Sequence, residues 1–196
     1  MTTDDLMAAV LPVAACLDRL QVRFFLTGSA ASSAHGIARA SLDVDLVAEL
    51  GPAHVEPFVA CLADAYYVPI EALRAAVSER RSFNLIHLAT MFKVDVFVSR
   101  RRDYDVVAAQ RAQSQVIDEA PGALRLPTAT AEDTVLRKLE WFRRGGEVSE
   151  RQWWDVVGVL KVTKDADREY LRGWAVRLGI ADLLDRALTQ VDADEA

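Results

Sequence analysis

Apolar residues recur at helical spacing from the start of the chain, with Leu6, Val10, Val13 and Leu17 on one face, and predict a helix over residues 4–20 that opens on acidic residues and carries Pro12 as a kink point. Residues 22–27 (Val-Arg-Phe-Phe-Leu-Thr) read as a strand, and residues 29–35 as a short small-residue helix opened by Gly28. Strict alternation follows in Leu42-Asp43-Val44-Asp45-Leu46-Val47. Residues 52–67, with Pro52 near the first turn, and residues 70–79 predict two further helices. Residues 82–88 and 91–98 form an expected antiparallel hairpin joined at Ala89-Thr90. A helix over 103–112 leads to extended chain over 114–127, interrupted by the turn signal Pro121-Gly122. From Thr130 onward only helical periods remain. Thr130 with Asp133 and Ser149 with Gln152 mark two helix starts, Gly145-Gly146 stops the first, and two more helices follow Asp167 and Gly179. The expected class is α/β (α+β): a mixed sheet flanked by helices over residues 1–127, with a C-terminal helical bundle over 128–196 packed on it as one unit.

Three carboxylates change this picture from architecture to chemistry. Side chains two apart on a strand share a face, so Asp43 and Asp45 project together, about 6–7 Å apart. Asp95 repeats the pattern in the later strand, where Phe92, Val94, Val96 and Val98 alternate with Lys93 and Asp95. On neighbouring strands the three would converge and repel one another unless a hard divalent cation such as Mg²⁺ neutralised them. Gly28 and Ser29 supply the other half of such a site, because a glycine lets phosphate approach the backbone and free N–H groups at a helix start bind it. A Gly-Ser turn after a strand is by itself more often only a turn. Its spacing to the paired aspartates is what raises it.

Composition bounds the alternatives. The chain has 196 residues, 52% hydrophobic and 27% charged, with a formal net charge of −6. That is enough for one α/β domain with a helical extension. No segment is apolar for the length of a membrane span, and Asp4 and Asp5 spoil a signal-peptide reading, so the expected location is cytoplasmic, with no membrane partner. Cys16 and Cys61 fall within apolar helical patterns and read as buried, reduced thiols. The negative charge argues against a broad electrostatic grip on nucleic acid without excluding a local patch, and Arg80-Arg81 and Arg100-Arg101-Arg102 read as solvated loop ends ahead of a polynucleotide track. His35 reads as a helix-terminal cap, His87 as a structural strand residue and His54 as solvent-exposed. None is assigned a catalytic role.

Gly28-Ser29, thirteen intervening residues, Asp43-x-Asp45 and the later Asp95 resemble the nucleotidyltransferase superfamily that shares the DNA polymerase beta palm. With Arg39 and Ser41 placed just before the aspartate pair, residues 28–47 more narrowly resemble the small prokaryotic branch containing AbiEii-type toxins of type IV toxin–antitoxin systems. The match covers residues 24–47 and 92–98 and loosens afterwards. The resemblance implies catalytic Asp43, Asp45 and Asp95 on Mg²⁺ (or Mn²⁺), with an NTP as co-substrate held by Gly28, Ser29, Arg39 and Ser41. It also implies a lysine and an aspartate on consecutive C-terminal helices, matched here by Lys138 and Asp155. On the residues alone, Lys138 reads as a solvated helix lysine and Asp155 as an i, i+4 partner of Arg151. The implied reaction moves NMP from the NTP to an acceptor hydroxyl of RNA such as tRNA, or of a protein, and the same branch implies a role as the toxin partner of a cognate antitoxin. Three alternatives stay open: a small-molecule (antibiotic) nucleotidyltransferase, a non-catalytic nucleotide- or partner-binding pseudoenzyme, and a plain structural α/β protein.

Overall fold

The computed structural model describes residues 3–34, 43–116 and 125–194. The chain runs α1 (Thr3–Arg19), β1 (Phe24–Thr27), α2 (Gly28–Ala34), β2 (Asp43–Ala48), α3 (Val55–Leu62, entered by a 3-10 turn), β3 (Tyr66–Tyr67), α4 (Ile70–Glu79), β4 (Ser82–His87) and β5 (Phe92–Val98). It continues with α5 (Asp103–Arg111), β6 (Gln113–Val116), β7 (Arg125–Thr128), α6 (Ala131–Arg144), α7 (Glu150–Val162), α8 (Arg168–Leu178) and α9 (Ala181–Asp194). Among the described residues the strands form one mixed sheet in the order β3-β4-β5-β2-β1-β7-β6, with β2–β5 and β1–β7 parallel and the other pairs antiparallel. The α/β class with flanking helices is as the sequence predicts.

Strand alternation divides the sheet into two unlike faces. One face carries Phe24, Leu26, Val44, Leu46, Phe83, Leu85, Val94 and Val96, and α1, α3 and α4 cover it with Val13, Leu17, Phe58, Leu62 and Leu73 in one continuous core. Each fully buried Leu or Phe there contributes about 2–3 kcal/mol of transfer free energy. The opposite face holds a smaller apolar patch of Phe25, Val47 and Phe97 among its polar positions. A second large core joins α5 to the four C-terminal helices through Tyr104, Leu136, Leu139, Trp153, Val156 and Leu171.

The predicted caps of that bundle are in place. Thr130 Oγ1 accepts from the Asp133 N–H at 3.2 Å, Ser149 Oγ from Gln152 at 3.3 Å, and Asp167 from Tyr170 at 2.9 Å. Each satisfies a backbone donor that the first helical turn would otherwise leave unpaired.

Several expectations need correction. The helix expected over 52–67 stops at Leu62, because Tyr66 and Tyr67 pair with His87 and Ile86 at the sheet edge and the buried Tyr66 hydroxyl donates to the Ala9 carbonyl at 2.7 Å. Cys16 and Cys61 are not separate reduced thiols but are joined as a disulfide, α1 and α3 lying close enough for a Cα–Cα distance of 6.1 Å. His54 is half-buried and accepts from the Gly51 N–H at 3.0 Å rather than facing solvent. His87, by contrast, is a structural strand residue as expected: it is buried, its Nδ1 2.8 Å from Thr90 Oγ1, and so pins the turn of the β4–β5 hairpin. The expected histidine cap at His35 and the Pro121-Gly122 turn lie outside the described residues.

Candidate active site

The polar face of the sheet begins at β2. The parallel β2–β5 pairing sets Asp43 opposite Lys93 and Asp45 opposite Asp95, so Asp45 and Asp95 occupy adjoining positions on strands about 4.8 Å apart. On the same face Lys93 Nζ lies 2.7 Å from Asp95 Oδ2 and supplies charge that balances this carboxylate. The Asp43 side chain, with Arg39 and Ser41, lies outside the described residues.

β1 runs antiparallel to β2 and brings Thr27 opposite Asp45, and the chain then turns into α2 at Gly28. Gly28 has φ +64°, a backbone conformation that side chains disfavour. Contact matters as much as conformation here. A Cβ at this position would lie 2.8 Å from Asp45 Cγ and 3.0 Å from its Cβ, so the aspartate occupies the space that the glycine leaves. Inside α2, Ser32 Oγ donates back to the Gly28 carbonyl at 3.1 Å and braces the turn.

Helices α6 and α7 close the opposite wall. Lys138 Nζ donates to Asp155 Oδ2 at 2.8 Å across the two helices, and both side chains are only about a tenth exposed. Lys138 is therefore not a solvated helix lysine. A cleft of about 720 Å³ separates this wall from the sheet, and Gly28, Ser29, Asp45, Lys138 and Asp155 all line it. Asp95 is not among its lining residues; it sits one strand over from Asp45. Two oxygen-donor carboxylates side by side are of the type that hard divalent cations take, and the missing side chain of Gly28 is what lets the Asp45 carboxylate take its place there. Among the described residues no group of three or more metal-ligating side chains is assembled.

The cleft also collects residues that sequence patterning does not place there. Arg80, Arg81, Arg100, Arg102, Arg144 and Arg151 line it, so both arginine clusters expected to be solvated loop ends, Arg101 apart, border the candidate site. Arg102 is firmly held. Its guanidinium donates to Asp105 Oδ2 at 3.0 Å and Oδ1 at 3.1 Å, and to Glu140 Oε1 at 2.6 Å and Oε2 at 3.1 Å, tying the start of α5 to α6. Burial alone would raise both carboxyl groups, but hydrogen bonds and charge from Arg102 outweigh it and hold each below its ordinary value. Arg137 sits between the rings of Phe25 and Tyr104, at 5.2 and 5.3 Å from their centroids, and 3.5 Å from Asp105 Oδ1. Its buried Nε and Nη2 have no hydrogen-bond partner among the described residues. Trp141 stands at the edge of the same cleft with 45% of its surface exposed. For Trp141 the signal in the sequence is its three-residue helical offset from Lys138, legible only once α6 is known to face the sheet.

No protein-family model matches the sequence, nor does any curated protein. Solved structures do match over nearly the whole chain. The antibiotic-resistance factor ANT(2'')-Ia aligns at a TM-score of 0.52 and 11% identity, covering 99% of this chain and 98% of its own. An antigenic nucleotidyltransferase-like protein from Paracoccidioides brasiliensis aligns at a TM-score of 0.54 and 16% identity, covering 96% and 94%. The fold of this chain is that of the nucleotidyltransferases.

Proposed function

We propose that this protein is a metal-assisted nucleotidyltransferase that moves NMP from an NTP to an acceptor hydroxyl of RNA such as tRNA, or of a protein, as the toxin of an AbiEii-like toxin–antitoxin pair with a cognate antitoxin. One observation carries the reading: Gly28, Ser29 and Asp45 from the sheet half and the Lys138–Asp155 pair from the bundle, far apart in sequence, line one cleft. Asp43, Asp45 and Asp95 would hold Mg²⁺ or Mn²⁺, which when bound would neutralise triphosphate charge and stabilise the attacking and leaving oxygens. Gly28 and Ser29 would admit phosphate against the backbone, with Arg39 and Ser41 adding donors. Lys138, oriented by Asp155, would place its ammonium on phosphate oxygens where charge develops. The arginines along the cleft favour an anionic acceptor such as RNA over a polycationic small molecule.

The test replaces Asp45 by Asn and follows transfer of label from an alpha-labelled NTP into total RNA and total protein. Wild type is expected to transfer, and the variant to fall by a factor of at least about a hundred with its thermal melt unchanged. Undiminished transfer by the folded variant would overturn the assignment. Wild-type binding of NTP and Mg²⁺ in a calorimeter, without turnover on either acceptor class, would favour the non-catalytic reading instead.

A further inference from the structure

The geometry points to Trp141 as a stacking platform for the nucleobase of the bound NTP, an inference that rests on the nucleotidyltransferase reading and extends it to the base. A tryptophan is normally sequestered, because its ring is among the largest apolar surfaces a chain can bury. Trp141 is instead 45% exposed, and it is exposed into the cleft. Its orientation is set by two neighbours. The Phe97 ring meets it edge-on at 5.7 Å between centroids, and the Arg144 guanidinium lies 5.6 Å from its ring centroid while also ion-paired to Glu140. A held aromatic face beside a cation is what a planar base uses, whatever its hydrogen-bonding pattern, because every base presents a π-face.

Position supports the same occupant. Phe97 lies beside Val47 in the β2–β5 pairing, one strand repeat of about 6.6 Å beyond the Asp45–Asp95 pair. Along α6, Trp141 follows Lys138 by three residues, so the two side chains are neighbours on one helix face, about 5–6 Å apart at Cβ. From both walls of the cleft, Trp141 is therefore one repeat removed from the groups assigned to phosphate and metal. A nucleotide anchored there by its phosphates has its base one ribose away, within reach of the indole.

The experiment measures binding of ATP, GTP, CTP and UTP, each with Mg²⁺, and of inorganic tripolyphosphate with Mg²⁺, to wild type, Trp141→Ala and Trp141→Phe. The Ala variant should weaken the preferred nucleotide about tenfold or more, the Phe variant should recover most of that loss, and tripolyphosphate should bind all three proteins alike. Because the indole is half exposed, both variants should melt with the wild type. Equal nucleotide affinity in wild type and Trp141→Ala would overturn the platform while leaving the nucleotidyltransferase reading intact. A parallel loss for tripolyphosphate would overturn it too, since the effect would then not depend on a base. A wild type that binds neither nucleotide nor tripolyphosphate would sink both readings together.

Discussion

Gly28 shows how one position couples backbone conformation to chemistry. At φ +64° any L side chain is strained, at a cost of about 1–3 kcal/mol, and at this glycine the added Cβ would also run into Asp45. Gly146 separates the two effects, because its φ of +76° carries the same strain with nothing within 4 Å of an added Cβ. Both Gly28→Ala and Gly146→Ala should therefore lose stability in a denaturant titration, Gly28→Ala the more because its Cβ also displaces Asp45, while only Gly28→Ala loses NTP binding by calorimetry. Equal binding by both variants would mean that the Asp45 contact has no bearing on the ligand. The sequence marked Gly28 through its spacing to Asp43-x-Asp45. What it could not contain was the carboxylate lying against the glycine, since that contact depends on the β1–β2 register that sets Thr27 opposite Asp45.

At the scale of elements, the joint between α6 and α7 is the one to probe. Lys138 and Asp155 are nearly buried, so removing one partner strands a charge in a poorly hydrated place, whereas replacing both by apolar residues does not. Asp155→Ala should cost about 3–5 kcal/mol, read from the denaturation midpoint, and the double change Lys138→Met with Asp155→Leu should recover most of it. The double variant should nevertheless stay inactive in nucleotidyl transfer; an active one would leave the pair a purely structural role. Element boundaries were readable where local signals are strong. Thr130, Ser149 and Gly179 mark helix ends through caps that work within a few residues. The short β3 was not, because Tyr66 and Tyr67 continue an apolar helical period and only their pairing with β4 makes them a strand. The disulfide was equally out of reach, since the 45-residue separation of Cys16 and Cys61 says nothing until α1 packs on α3.

Across the whole molecule, the Arg102 network links the helix that follows the sheet's polar face to the bundle. Asp105 and Glu140 both hold their protons less tightly when folded than a free carboxyl does. The unfolded chain therefore binds protons first as pH falls, and the stability these groups contribute is complete above the ordinary carboxylate range near pH 4 and drains away below it. Unfolding free energy should thus decline from about pH 5 toward pH 3, and Arg102→Met, stable enough to measure at pH 7, should show a flatter decline. An unchanged slope would assign the acid sensitivity to other groups. Of the arginines that line the cleft, Arg80, Arg81, Arg100 and Arg102 were visible in the sequence as members of two separate clusters, but their meeting with α6 required the bundle to fold back over the sheet. The parallel register of β2 and β5 carries a last consequence. Each of these strands packs the hydrophobic core with one set of positions and presents Asp45 or Asp95 with the other, so inserting or deleting one residue in either strand would turn a carboxylate into the core and an aliphatic side chain onto the polar face. One-residue insertions should accordingly be borne by the connections and not by β2 or β5, the two strands that must keep the core and the aspartate pair in step.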